Sequence, residues 1–205
     1  MSQWESLFDQ SVSIINQANS SFRLLDSWTF GGGTALMLQI SHRESFDIDI
    51  FIDDPQVLPY LNPTTQGYTL QVNPDEYVSD GTHALKIVFA GIGEIDYICA
   101  PSLTDDPTSR VTVRGIEVDL ETPGEIIAKK VHYRGASLQP RDIFDIVDSW
   151  SGFSNRNAVQ YRLDASLIPV PDNNLRGHFW AAGSAQVLNA LLSFMLGHHG
   201  RQHFK

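Results

Sequence analysis

Residues 46–52 alternate with a period of two. Phe46, Ile48, Ile50 and Ile52 fall on one side, and Asp47, Asp49 and Phe51 on the other. Successive side chains of a strand point to opposite faces, so the pattern predicts a strand with its isoleucines in a core. The two carboxylates then leave one face about 7 Å apart along the backbone. At ~4 Å between charges their repulsion would cost on the order of 4 kcal/mol near a protein surface. Aspartate is depleted in strands, and a pair of them on a strand anchored by isoleucines calls for a compensating cation. A hard divalent ion such as Mg²⁺ favours carboxylate oxygens and keeps waters or phosphates in its other positions. The bland alternative is a polar strand face in water.

Other patterns surround this strand. Trp4 to Ala18 has apolar residues at 4, 7, 8, 12, 14 and 15, the spacing of an amphipathic helix. A short strand is expected to end at Phe30, where Gly31-Gly32-Gly33 breaks it, with Thr34 starting a helix through Ile40. Gln56–Leu61 reads as a helical turn. Tyr68–Val72, His83–Ala90 and Glu94–Cys99 read as strands, the last two joined tightly at Gly91 and Gly93. Arg110–Leu120 fits a hairpin turning at Arg114-Gly115. Thr122-Pro123 opens a helix that runs on to Tyr133, since proline suits a first turn. After a loop at Gly135–Pro140, Arg141–Trp150 is a second helix with Ile143, Ile146, Val147 and Trp150 on its apolar side. A final apolar helix is expected at Ser184–Leu196. The fold class is therefore α+β: a mixed β-sheet core flanked by helices over residues 1–120, then a mostly helical C-terminal lobe over 121–205.

Composition narrows the function. A formal net charge of −10 over 205 residues lacks the basic footprint with which proteins neutralise duplex phosphates. A large nucleic-acid surface is disfavoured, although a small patch for an acceptor end is compatible with it. The single cysteine, Cys99, forms no internal disulfide, and no run approaches the ~18 apolar residues of a membrane span. The first nine residues lack a basic start followed by an apolar run, so no signal peptide is expected and the cytoplasm is the expected compartment.

Further residues could join Asp47 and Asp49. Glu94 and Asp96 share a face of their strand, and a neighbouring strand could bring Asp96, or less readily Glu94, beside the pair. Three carboxylates can hold two metals about 3.5–4 Å apart, one at the attacking and one at the leaving oxygen. Gly32, Gly33 and Thr34, between a strand and a helix, could present backbone N–H groups to a phosphate, with Thr34 as cap or phosphate ligand; the bland reading is a tight turn. No lysine follows the glycines, so this is not a P-loop. Trp28 and Trp150 read as core. His42, His83, His132 and His178 show no zinc spacing, and the tail Gly197–His203 reads as a polar end.

Phe30-Gly31-Gly32-Gly33-Thr34-Ala35-Leu36, followed by His42-Arg43-Glu44-Ser45-Phe46-Asp47-Ile48-Asp49-Ile50-Phe51, resembles the signature of the AbiEii/AbiGii toxin family of nucleotidyltransferases, in the DNA polymerase beta superfamily. A second block agrees in order: Glu125–Val131, Arg134, then Arg141-Asp142-Ile143-Phe144-Asp145-Ile146. The resemblance covers about residues 25–150 and leaves 151–205 unmatched. It implies a nucleotidyltransferase-type sheet with a helical partner lobe, transfer of a nucleoside monophosphate from a nucleoside triphosphate, and a toxin–antitoxin or phage-defence pair. Two Mg²⁺ ions, or Mn²⁺, would be held by Asp47, Asp49 and Asp96. Lys130 matches the lysine that contacts nucleotide phosphates, and Asp142 the aspartate that orients it or the acceptor. Lys130 and Arg134 are i and i+4 on a helix, hence on one face; Lys129 points elsewhere and reads as surface. Arg141 and Asp145 are expected to form an ordinary helix ion pair. Partners would be the triphosphate, a cognate antitoxin, and an acceptor that is RNA, protein or a small molecule. The alternative is a degenerate module that binds nucleotide or a partner without turnover.

Overall fold

A computed structural model describes residues 3–20, 23–41, 43–135 and 137–154, the side chains of 150–154 excepted. The expected helix at 184–196, the tail histidines, His178, His42 and the packing of Trp150 lie outside the described residues. Among the described residues no helix is long and apolar enough to cross a membrane.

A seven-stranded mixed sheet organises the chain. Its strands are β1 (Thr29–Gly31), β2 (Ile48–Ile52), β3 (Glu76–Ser79), β4 (Ala84–Phe89), β5 (Gly93–Cys99), β6 (Thr108–Val113) and β7 (Ile116–Glu121), in the order β3-β4-β5-β2-β1-β7-β6. β2 pairs parallel with β5 and β1 parallel with β7; the other pairings are antiparallel. The alternation in β2 does what the sequence predicts. Ile48, Ile50 and Ile52 are buried while Asp49 and Phe51 stay partly open. Phe46 lies ahead of the strand and is exposed. The apolar face packs on α1 (Gln3–Ala18), whose Leu7, Phe8, Val12, Ile14 and Ile15 are buried. Phe8 and Phe30 meet at 5.3 Å between ring centroids, and the fully buried Tyr97 donates its hydroxyl to the Ser11 carbonyl at 2.9 Å.

Three local expectations change. Tyr68–Val72 is not a strand, because side chains of α1 take its backbone groups. Gln17 bonds both the N–H and the carbonyl of Thr69, and Gln10 bonds the N–H of Gln71 and the carbonyl of Val72. The edge strand is instead β3, Glu76-Tyr77-Val78-Ser79, which is mostly exposed and too short to show an apolar alternation. Helix α2 (Gly32–Ile40) starts two residues earlier than Thr34, with Gly31 as its N-cap. A 3₁₀ segment (Pro55–Leu61) and the short α3 (Pro63–Gln66) follow β2.

The hairpin turns at Arg114-Gly115, both at positive φ. Thr122 caps α4 (Pro123–Arg134) by accepting from the Glu125 N–H. In α5 (Pro140–Ser154) the buried face carries Asp142, Asp145, Ile146 and Ser149, whereas Val147, expected inside, is exposed. Carboxylates face inward there because cations of α4 and of the 41–47 segment meet them.

Candidate active site

The parallel β2–β5 register sets Asp49 directly opposite Asp96. Neighbouring strands lie about 4.8 Å apart, so the sheet crowds two carboxylates that are 47 residues apart in the chain. Asp47, one residue ahead of β2, joins them. Its Oδ1 accepts from the Glu94 N–H at 3.2 Å, and its carbonyl accepts from the Thr34 hydroxyl at 2.6 Å. The Asp49 carboxylate rests against the Cα of Gly32, where φ is +69° and a methyl group would overlap it. Gly33 is covered by Ser45, whose Oγ would lie 2.8 Å from an added Cβ. Asp47, Asp49, Asp96, Gly32 and Gly33 line one side of a cavity of about 570 Å³, and Lys130, Arg134 and Arg141 line another. Thr34 is fully buried and does not line it. In place of the expected cap or phosphate ligand, it braces the Asp47 backbone.

The acidic floor is only partly relieved by cations. Asp49 is pushed up to about 7 by burial, then by Asp96 and Asp47, against the opposing fields of Lys130 and Arg134. Burial also raises Asp96, with Lys86 opposing. Lys86 is the register partner of Asp96 across β4–β5. Its Nζ bonds Glu94 and lies 3.3 Å from Asp96 Oδ2. Sequence reasoning missed this lysine; the period-two pattern of β4 places it on the polar face, but its partner depends on sheet order.

The helical wall is compensated. Lys130 Nζ lies 2.8 Å from Asp142 Oδ1 and 3.1 Å from Asp145 Oδ2. Arg134 reaches Asp142 at 3.4 Å. Arg43 grips Asp145 with two parallel bonds of 2.7 and 2.9 Å, the geometry in which guanidinium and carboxylate pair most strongly. Burial would raise both aspartates, yet Lys130 and the Gln139 N–H hold Asp142 below its usual range, and Arg43 and Lys130 do the same for Asp145. The expected Arg141–Asp145 pair does not form among the described residues, because Asp145 is buried and faces Arg43 and Lys130 while Arg141 turns to the cavity. Lys129 is not at the surface either. It is 5% exposed, 2.6 Å from Glu121 Oε1, and lies over the Phe51 ring at 3.8 Å. Glu121 Oε2 is the one buried side-chain oxygen left without a partner among the described residues.

The floor suits a hard cation. Its donors are all carboxylate oxygens, and a divalent ion offsets both the burial that chiefly lifts Asp49 and the repulsion from Asp96 that adds to it. Among the described residues no three His, Cys, Asp or Glu side chains stand close enough to hold an ion alone. Substrate oxygens would complete its shell.

The family described as nucleotidyl transferase AbiEii toxin, type IV TA system, matches residues 17–165. No curated protein sequence matches the chain. Among solved structures, ANT(2″)-Ia in complex with adenylyl-2″-tobramycin is 14% identical, with a TM-score of 0.48 over 73% of this chain and 88% of its own. An antigenic nucleotidyltransferase-like protein from Paracoccidioides brasiliensis is 19% identical, at 0.48 over 93% and 92%. The lincosamide antibiotic adenylyltransferase LnuA, lincomycin-bound, is 14% identical, at 0.42 over 61% and 86%. These likenesses are distant, and nothing about substrate is carried over from them.

Proposed function

The chain belongs to the AbiEii family of nucleotidyltransferase toxins, and from that premise we propose that it transfers a nucleoside monophosphate to an acceptor hydroxyl in a reaction that needs a divalent metal. The observation that carries this reading is the carboxylate pair Asp49 and Asp96, side by side across the β2–β5 register, with Asp49 against Gly32 and in the field of Lys130 and Arg134. Asp47 and Asp49 would hold the metal, substrate oxygens would complete its shell, and Asp96 would stand beside it on the acceptor side. When bound, Mg²⁺ offsets the negative charge that gathers on the transferring phosphoryl group and its leaving oxygens.

The chain's own groups do the rest. Gly32 and Gly33 begin α2, whose first N–H groups have no intrahelical partner and favour a phosphate. The missing side chain at Gly32 lets the Asp49 carboxylate, and with it a bound metal, stand against the start of that helix. Lys130 and Arg134, one turn apart on α4, add positive charge on the other side, and Asp142 fixes Lys130 in that position. The acceptor hydroxyl would approach from the Asp96 side, with Asp96 receiving its proton as the oxygen attacks the α-phosphorus and pyrophosphate leaves. Catalysis by this arrangement is mainly positioning and electrostatics.

Abundant nucleoside triphosphate makes the cytoplasm the fitting compartment. The family description supports reading this as a growth-arresting activity relieved by a cognate antitoxin, with RNA, protein or a small molecule as the acceptor.

Labelling a cell extract with each of four radioactive nucleoside triphosphates tests the site. Asp47→Asn with Asp49→Asn should lose at least ~10³-fold in transfer while melting as a folded protein. Full labelling by that folded double variant would overturn the assignment.

A further inference from the structure

Lys86 has no place in the reaction as set out above, yet it touches the acceptor side of the floor. It stands opposite Asp96 in the β4–β5 ladder, and directly opposed residues of an antiparallel pair share a face. Its ammonium bonds Glu94 and lies 3.3 Å from Asp96 Oδ2. The side chains of Lys86, Glu94 and Asp96 are 35%, 35% and 18% exposed, so the cluster is partly withdrawn from solvent and less screened than a surface pair. A divalent ion on the same Asp96 oxygen would be forced against that ammonium, like charge to like charge.

We propose that Lys86 is the second cation of this site: its ammonium takes the place of an acceptor-side metal, and the enzyme works with one divalent ion, carried by Asp47 and Asp49, instead of two. The proposal rests on the metal-dependent reading given above and revises the two-ion expectation drawn from the sequence. Two carboxylates and one divalent ion are served by Asp47 and Asp49, while Asp96 and Glu94 are neutralised by an internal charge. An ammonium has three donors. Two are engaged by Glu94 and Asp96, which leaves one for the oxygen of an acceptor beside Asp96.

Metal stoichiometry decides this without reference to activity. The full chain is titrated with Mn²⁺, followed by calorimetry and by electron paramagnetic resonance, in the presence of each α,β-methylene nucleoside triphosphate, which cannot transfer. The wild type should bind one Mn²⁺ per chain and Lys86→Met two. Lys86→Arg, which keeps the charge, should again bind one. Lys86→Gln serves as the second neutral variant if Lys86→Met does not fold. Two ions in the wild type would overturn the role of Lys86 and leave the metal-dependent reading standing, as would a single ion in the neutral variants. No ion in the wild type would overturn both. The wild-type single ion should vanish in Asp47→Asn/Asp49→Asn.

Discussion

The floor and the wall of the cavity are both built on aspartates, and those aspartates behave in opposite ways. On the sheet, Asp49 is lifted to about 7 by burial and by Asp96. On α5, the fully buried Asp142 and Asp145 are held below their usual range. Burial pushes all of them the same way; partners decide the sign. Each wall carboxylate meets two cations, Lys130 with Arg134 or Arg43 with Lys130. The floor has crowded acids and, among the described residues, Lys86 as the one cation in ion-pair contact with Asp96. The wall is thus a finished internal structure, while the floor keeps an unmet demand for positive charge at Asp47 and Asp49.

Breaking the wall should have the largest effect on stability. Asp145→Asn would leave Arg43 and Lys130 short of their shared counter-ion, and removing one partner of a buried pair costs about 3 kcal/mol or more. Urea denaturation should show that loss, together with weakened nucleotide binding, because Lys130 loses one of its two carboxylate anchors. An unchanged midpoint would mean that the wall is not a stabilising network.

Disturbing the junction of floor and helix should cost less. Gly32→Ala places a side chain at φ +69°, on the Asp49 carboxylate. The left-handed backbone alone costs about 1–2 kcal/mol, and displacement of Asp49 should lower kcat more than it raises the KM for the triphosphate. Steady-state kinetics beside a thermal melt separates the two effects.

The smallest effect sharpens the contrast. A carboxyl group raised in the folded state contributes stability below its unfolded value and loses it as pH climbs through the folded value. For Asp49 that window runs from about 4 to about 7. Asp142 and Asp145, being lowered, contribute above their unfolded value and lose it as pH falls. In chelator, Asp49→Asn should therefore gain on the wild type as pH rises from 4 to 8, by on the order of 1 kcal/mol once solvent screening through the open cavity is allowed for. Mn²⁺ should erase the difference by stabilising only the wild type. A gap that stays constant with pH would show that Asp49 is not raised.

Much of this was open to a reading of the chain alone. The isoleucines of β2, the Arg114-Gly115 turn and the Thr122-Pro123 helix start are local signals, each decided by neighbours within four residues. The Asp47/Asp49 pair and Lys130 came from motifs of the same short range. The failures were long-range. Tyr68–Val72 has strand-forming residues, but Gln10 and Gln17, more than fifty residues away, satisfy its backbone. Lys129 and Lys130 look alike in sequence, and only the packing of α4 gives one to Glu121 and the other to Asp142 and Asp145. Sequence spacing pairs Asp145 with Arg141, four residues away, whereas the fold brings it to Lys130 and to Arg43, 102 residues away.

By itself, then, the sequence determined the α+β class, the faces of individual strands and helices, and the acidic strand beside a glycine turn, because those follow from backbone periodicity over a few residues. Tertiary structure alone decided which acids stay unrelieved and which are neutralised. That depends on strand order and register, which set Asp49 against Asp96 and Asp96 against Lys86, and charges interact through space over a few ångströms whatever their separation along the chain.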